Sequence, residues 1–272
     1  MVIDRKVIND ITKGLGITPN KDLGQNFVVD PLACEKISNA LDLKESDVTL
    51  EIGPGLGSLT HFLINKSKEF EVVDIDTRMC NFLSTVYAEN EVKIINDDIR
   101  NVDISKYTKI IGNLPYYITT ELITFLVEKA SKCEKFVFMI QTEAVNRFVD
   151  ESGKEYGAVS VLCHLLGTPR RLFSVKASSF YPTPKCGSTV FEIVIKKDAD
   201  REKMIAVYKM TKQLFINRRK TLLNNLGGYL GDKEKANLII SKLGLPLTVR
   251  PEEIQPKTYV ELYNLVKEVN LN

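Results

Sequence analysis

Histidine is scarce in this chain and cysteine is unpatterned. There are two histidines, His61 and His164, and five cysteines, Cys34, Cys80, Cys133, Cys163 and Cys186, with no C-x-x-C pair among them. An odd cysteine count without paired spacing reads as buried, reduced thiols rather than a disulfide framework. So few thiolate or imidazole ligands argue against zinc, and no metal site is expected. The same scarcity argues against Ser-His-Asp and Cys-His hydrolysis, in which an imidazole must stand beside the nucleophile. His61, in SLTHFLINK, reads as a packing or surface residue of a helix. No apolar run approaches membrane-spanning length, and MVIDRKVINDITKGLG at the start interleaves charges with apolar residues at helical spacing, unlike a signal peptide. A cytoplasmic protein is therefore expected. Internal repeats and low-complexity tracts are absent as well.

What is there is ordinary globular composition, 44% hydrophobic and 26% charged over 272 residues, enough for one large domain and a smaller one. Short β-rich runs, VTLEIG, FEVVDID, VKIIND, KIIGNL and FVFMIQ, each precede a stretch of helical period, which predicts an α/β fold with a parallel sheet. Asp30-Pro31 predicts a helix start, with an N-cap and a first-turn proline, running to about Leu41. GITPNKDLGQNFVVD before it reads as a loop. RLFSV and GSTVFEIVIKK read as two further strands joined by the proline-stiffened ASSFYPTPKC. Beyond Lys197 only helical patterns remain. The charge changes there too: from Lys196 onward 15 Lys and Arg face 9 Asp and Glu, a balance of +6, against −4 for the first 195 residues. Two domains, 1–195 and 196–272, are expected, the second facing a polyanion.

The chemistry concentrates at strand ends. TLEIGPGLGSLT carries a strand into Gly53-Pro54-Gly55-Leu56-Gly57, where glycines let a ligand approach the peptide amides. Asp74 ends the next strand, where a carboxylate accepts from both hydroxyls of a ribose; Asp76, two residues on, reads as a helix cap. INDDIR sets Asp97 and Asp98 on the same sheet edge, suited to the exocyclic amine of an adenine. The pattern E-x-G-x-G-x-G, with Glu51 ahead of the first glycine, differs from G-x-G-x-x-G of nicotinamide binding and fits S-adenosylmethionine, which has no pyrophosphate to hold.

The fourth strand ends in IIGNLPYYIT. The exocyclic amine of adenine or cytosine is a weak nucleophile because its lone pair is delocalised into the ring. The Asn113 carboxamide oxygen and the Leu114 main-chain carbonyl can accept its two N–H bonds and draw the nitrogen towards tetrahedral geometry, with Pro115 stiffening the turn and Tyr116 stacking on the base. Phe180, in SSFYPTPK, is the candidate for closing over the other face, and Tyr181 competes for that role.

DLGQNFVVD, LEIGPGLGSLT, GNLPYYIT, FYPTPKCGSTV and LFINRRKTLLNNL, in this order and spread over nearly the whole chain, resemble the bacterial small-subunit ribosomal RNA adenine dimethyltransferases. The resemblance implies a Rossmann-like S-adenosylmethionine-dependent methyltransferase sheet over 1–195 and a small C-terminal helical RNA-binding domain over 196–272. It implies conversion of two adjacent adenosines near the 3′ end of 16S rRNA to N6,N6-dimethyladenosine during small-subunit biogenesis, by a monomer that engages the subunit or its precursor. It further implies Asn26 and Val28 over the cofactor, Gly53 at its amino-acid part, Asp74 on the ribose, Asp98 on the adenine, and Asn113 at the target amine. Arg218, Arg219 and Lys220, read as lying on a helix, would grip phosphates. The chain departs from the family at Val28, where leucine is commoner, at Asp74 (glutamate), at Tyr117 (asparagine) and at Cys186-Gly187 (Val-Asp). The competing readings are a macrolide-resistance type 23S rRNA adenine methyltransferase, a non-catalytic RNA-binding assembly factor and, more distantly, a nicotinamide dehydrogenase.

Overall fold

The structure is a computed structural model of the chain, and it describes residues 3–16, 18–20, 23–89, 92–115 and 118–271. The strands are β1 (Phe27–Val28), β2 (Val48–Ile52), β3 (Glu69–Asp74), β4 (Val92–Asn96), β5 (Lys109–Asn113), β6 (Lys135–Gln141), β7 (Gly167–Val175), β8 (Phe180–Tyr181) and β9 (Ser188–Ile195). The helices are α1 (Arg5–Leu15), α2 (Pro31–Ala40), α3 (Thr60–Leu63), α4 (Thr77–Val86), α5 (Thr119–Lys129), α6 (Asn146–Val149) and α7 (Ala158–Leu166), followed by α8 (Arg201–Leu214), α9 (Leu222–Leu230), α10 (Lys233–Lys242) and α11 (Pro256–Leu271).

Seven strands form one sheet in the order β4-β3-β2-β5-β6-β9-β7. The five strands expected from the apolar runs, β2 to β6, pair in parallel, and β9 joins β6 antiparallel. Burial explains why they read as continuous apolar runs: Ile110, Ile111, Phe136, Val137 and Phe138 are all fully buried, as expected of strands covered on both faces. Chain order reverses between β2 and β5, the switch point at which ligands of such sheets gather. The register fixes which strand ends meet: Ile52 lies opposite Val73 on one side and Gly112 on the other.

The helix starts follow local chemistry. Asp30 caps α2 by accepting from the Ala33 amide at 3.1 Å, with Pro31 in the first turn. Asp76 caps α4 through the Arg78 amide at 3.0 Å. The segment read as a loop before Asp30 contains β1, which pairs antiparallel with β8, Phe27 opposite Tyr181 and Val28 opposite Phe180.

The chain divides into two units, 1–145 with 170–194, and 146–169 with 195–272. A break falls at 194/195, beside the expected one, but residues 146–169, assigned from sequence to the first domain, belong with the second. The reason is hydrophobic: Tyr156, Val161 and Leu165 are buried in one cluster with Val207, Leu214, Leu226 and Tyr259, and the Tyr156 ring meets Phe215 edge-on at 5.9 Å. No helix among the described residues is long and apolar enough to cross a membrane.

The glycine turn after β2 is packed as well as bent. Gly57 has φ +85°, and a Cβ there would stand 2.9 Å from the Leu83 side chain and 3.1 Å from the Tyr87 hydroxyl. Gly16, with φ +63°, has open space around it. Gly16→Ala is expected to cost about 1–2 kcal/mol from backbone strain alone, and Gly57→Ala roughly 1–3 kcal/mol more because the side chain has nowhere to go. Urea midpoints of the two variants against the parent check this.

Candidate active site

The parallel register delivers the expected residues to one place. A cavity at the carboxyl ends of β2, β3, β4 and β5 is lined by Asn26, Val28, Gly53, Asp74, Asp98, Asn113, Leu114 and Pro115 together. Six of these come from the four strand ends, and two from the segment that leads into α2.

Each acid stands in a different electrostatic setting. Asp74 is 9% exposed and accepts from the Gly55 amide at 3.3 Å and the Asp76 amide at 2.9 Å. Burial pushes its carboxyl up from the ordinary value, and those amides pull it back. Asp98 is held low by hydrogen bonding to Arg100, which it also contacts in an ion pair, and it caps the short turn Ile99–Asn101. Glu51, 1% exposed, also lines the cavity and accepts from the Thr60 hydroxyl at 2.6 Å. Burial pushes its carboxyl up to about 8; the Thr60 bond opposes that and the nearby Asp74 charge adds to it. Ile75, 55% exposed, and Ile99 flank the two outer acids with apolar surface. Carboxylates at successive strand ends with aliphatic faces between them fit a nucleoside whose hydroxyls and amine donate and whose ring is flat and apolar. These residues fit the adenosyl part of S-adenosylmethionine.

The Asn113 turn is held on both sides. Its Nδ2 donates to the Asn26 carbonyl at 3.0 Å, the Leu114 amide donates to the Met139 carbonyl at 3.1 Å, and the Thr119 hydroxyl donates to the Pro115 carbonyl at 2.9 Å. Tyr116, proposed from sequence to stack on the base, lies outside the described residues, as does Tyr117.

Phe180 corrects the sequence reading. Its side chain is 0% exposed, packed in the first unit's core with Phe27 and Val28, and it does not line the cavity. Its backbone pairs with β1, and that pairing draws the ring inward. Tyr181, beside it, is half-buried. The basic motif corrects it again: Arg218, Arg219 and Lys220 occupy the turn between α8 and α9, and the helix begins only at Leu222 behind the N-cap Thr221. Arg219 and Lys220 are exposed, whereas Arg218 is half-buried and donates to the Gly153 carbonyl at 3.2 Å. Among the described residues no group of three or more acidic, histidine or cysteine side chains could hold a metal ion.

Sequence reading missed Gln25 and Ser58, which also line the cavity. Ser58 donates to the Val28 carbonyl at 2.7 Å, a bond between residues 30 apart that no local pattern announces. Glu51 was legible only as part of the glycine motif.

An acid whose folded pKa is raised contributes stability that is present below its unfolded value and lost as pH rises through the folded one. For Glu51 that window runs from about 4.5 to about 8. The neutral isostere in Glu51→Gln is expected to remove this part of the pH slope, so the variant gains on the parent as pH rises; chemical unfolding of the ligand-free proteins at the two ends of the window checks it.

A model of the family described as ribosomal RNA adenine dimethylase matches residues 16–268. The Ribosomal RNA small subunit methyltransferase A of Malacoplasma penetrans is 33% identical over 265 residues, covering 95% of this chain and 96% of that relative. Among solved structures, a dimethyladenosine transferase from Plasmodium falciparum superposes with a TM-score of 0.79 at 22% identity, covering 90% of this chain and 98% of that one. The 23S rRNA methyltransferase ErmE superposes at 0.71 with 17% identity, covering 89% and 99%. At those identities the two structures show a shared fold. With the family match spanning all but the chain's extremities, and a third of the residues shared with a relative covered end to end, the chain belongs to the ribosomal RNA adenine dimethylase family.

Proposed function

We propose that this S-adenosylmethionine-dependent rRNA adenine dimethyltransferase acts on N6 of two adjacent adenosines in a loop near the 3′ end of 16S rRNA, as a cytoplasmic monomer engaging the small subunit or its precursor. The observation that carries the reading is the meeting of Asn113 with the acids at the ends of β3 and β4 in one cavity. S-adenosylmethionine supplies, when bound, a methyl group made electrophilic by the sulfonium. Asp74 receives its ribose hydroxyls, Asp98 its adenine amine, Gly53 lies at its amino-acid part, and Asn26 and Val28 cover it.

The chain's own contribution to the chemistry is positional. The Asn113 oxygen and the Leu114 carbonyl accept the two N–H bonds of the target amine, drawing its lone pair out of the ring and aiming it along the line of transfer. Holding two reactants in line accounts for up to about 7–11 kcal/mol of barrier, whereas a general base contributes typically about 10²–10⁴-fold. Among the described residues the cavity lining holds no histidine, which accords with that division, and the proton leaves to water after alkylation. In the second unit Arg219 and Lys220, with Arg218 behind them, grip phosphates and so place the RNA without reading its sequence. A target base has to leave its stack, which a single-stranded loop permits at least cost.

The relative's name favours the small subunit, while the fold shared with ErmE is neutral between subunits. Purified protein given labelled S-adenosylmethionine and unmodified ribosomal particles is expected to label adenosine of small-subunit RNA as the N6,N6-dimethyl form. Label confined to 23S rRNA supports the macrolide-resistance type instead. Asn113→Ala should lower turnover by roughly 10²-fold or more while particle binding persists, which an assembly factor without catalysis would not show. Replacing both Arg219 and Lys220 by Ala should weaken RNA binding and flatten the plot of log K against log salt by roughly 0.7–0.9 for each phosphate no longer neutralised.

A further inference from the structure

A carboxamide has two donors on nitrogen and only acceptors on oxygen, so its use at a site depends on which end faces which way. Asn113 spends its nitrogen end on the carbonyl of Asn26, 87 residues earlier in the chain. Since a main-chain carbonyl can only accept, the reversed side chain would set two oxygens against each other. The Asn26 carbonyl therefore decides that Oδ1 is the end left for the reaction, and the choice is only as firm as the segment carrying that carbonyl.

The residue before it holds the segment down. Gln25 Nε2 donates to Asp76 Oδ2 at 2.9 Å, while Gln25 Oε1 accepts from the Asn20 amide at 2.8 Å and the Gln25 amide donates to the Asn20 carbonyl at 3.1 Å. Asp76 is a firm anchor: it caps α4, and its carboxyl is kept low first by hydrogen bonding from Arg78, with which it makes an ion pair at 2.6 Å. Arg78 also reaches the Thr18 carbonyl at 3.4 Å. Two consecutive residues thus perform two tasks. The side chain of Gln25 grips the β3–α4 turn, and the carbonyl of Asn26 orients the amide at the end of β5.

We propose that Gln25 is a positioning residue for methyl transfer, clamping residues 23–28 to Asp76 so that Asn113 presents its oxygen to the target amine only while the clamp is closed. The inference rests on the reading of Asn113 as the amide that accepts from that amine. It separates from two simpler roles. A purely structural bond would alter stability and leave turnover per folded molecule alone. A plain cofactor contact, open to Gln25 because it lines the cavity, would raise KM for S-adenosylmethionine and leave kcat unchanged.

The test uses Gln25→Ala, which removes the donor, and Gln25→Glu, which sets a second carboxylate against Asp76, with Asn113→Ala alongside. Methyl transfer to unmodified small-subunit particles is measured per folded molecule while S-adenosylmethionine is raised to saturation, and Tm is recorded. Both Gln25 variants are expected to lose about tenfold or more in kcat at saturation, with Tm close to the parent and Asn113→Ala at least as impaired. Parental kcat at saturation in both Gln25 variants, whatever their KM or Tm, overturns the clamp while an inactive Asn113→Ala leaves the proposed function standing. A fully active Asn113→Ala overturns that function and the clamp with it.

Discussion

The parallel pairing of β2 between β3 and β5 is the constraint on which the site depends. Parallel strands in register end at the same edge, so residues that follow Ile52, Val73 and Gly112 become neighbours although they lie some 20 to 60 positions apart in the chain. Gly53, Asp74 and Asn113 are brought together by that pairing, before any side chain chooses a partner. A one-residue slip of β5 would exchange its faces and put Asn113 on the wrong side of the edge. A continuous apolar run has no alternation to penalise such a slip, so the register from which the site hangs rests on the fit of the individual side chains.

Charge is distributed over that edge by burial. Asp98 keeps a low carboxyl beside Arg100, Asp74 is desolvated but surrounded by amides, and Glu51 lies deepest and is the hardest to ionise. The gradient follows from distance to solvent and number of donors, the ordinary causes of a shifted carboxylate. Of the three carboxyls, the one beside Arg100 at the end of β4 is thus the easiest to ionise and Glu51 the hardest.

Much of this was legible in the sequence, and for a common reason. The five parallel strands, the glycine turn, Asp30 and Asp76 as caps, and the acids at strand ends all announce themselves within a few residues, through period, capping chemistry and strand termination. What was misread depends on partners far along the chain. β1 and β8 are two residues each and exist only because they meet, so neither carries a pattern, and the burial of Phe180 follows from that meeting. Residues 146–169 have the composition of their neighbours, and only the cluster around Tyr156 and Leu165 reveals where they pack. NRRKTLLNNL contains no proline or glycine to mark where a helix starts, yet Thr221 caps the helix and leaves the basic residues in the turn before it.

The divided second unit imposes an order of events on a chain made from its N-terminus. Val161 and Leu165 on α7 leave the ribosome roughly 100 residues before Leu262 and Val266 on α11, which complete their cluster. At about 5–20 residues per second the cluster takes roughly 5–20 s to complete, with Val207, Met210 and Leu214 of α8 covering α7 before α11 closes it. Meanwhile β7 and β9 are finishing the sheet of the other unit. The unit made of two separated stretches of chain is thus the last to close, and only α11 completes it.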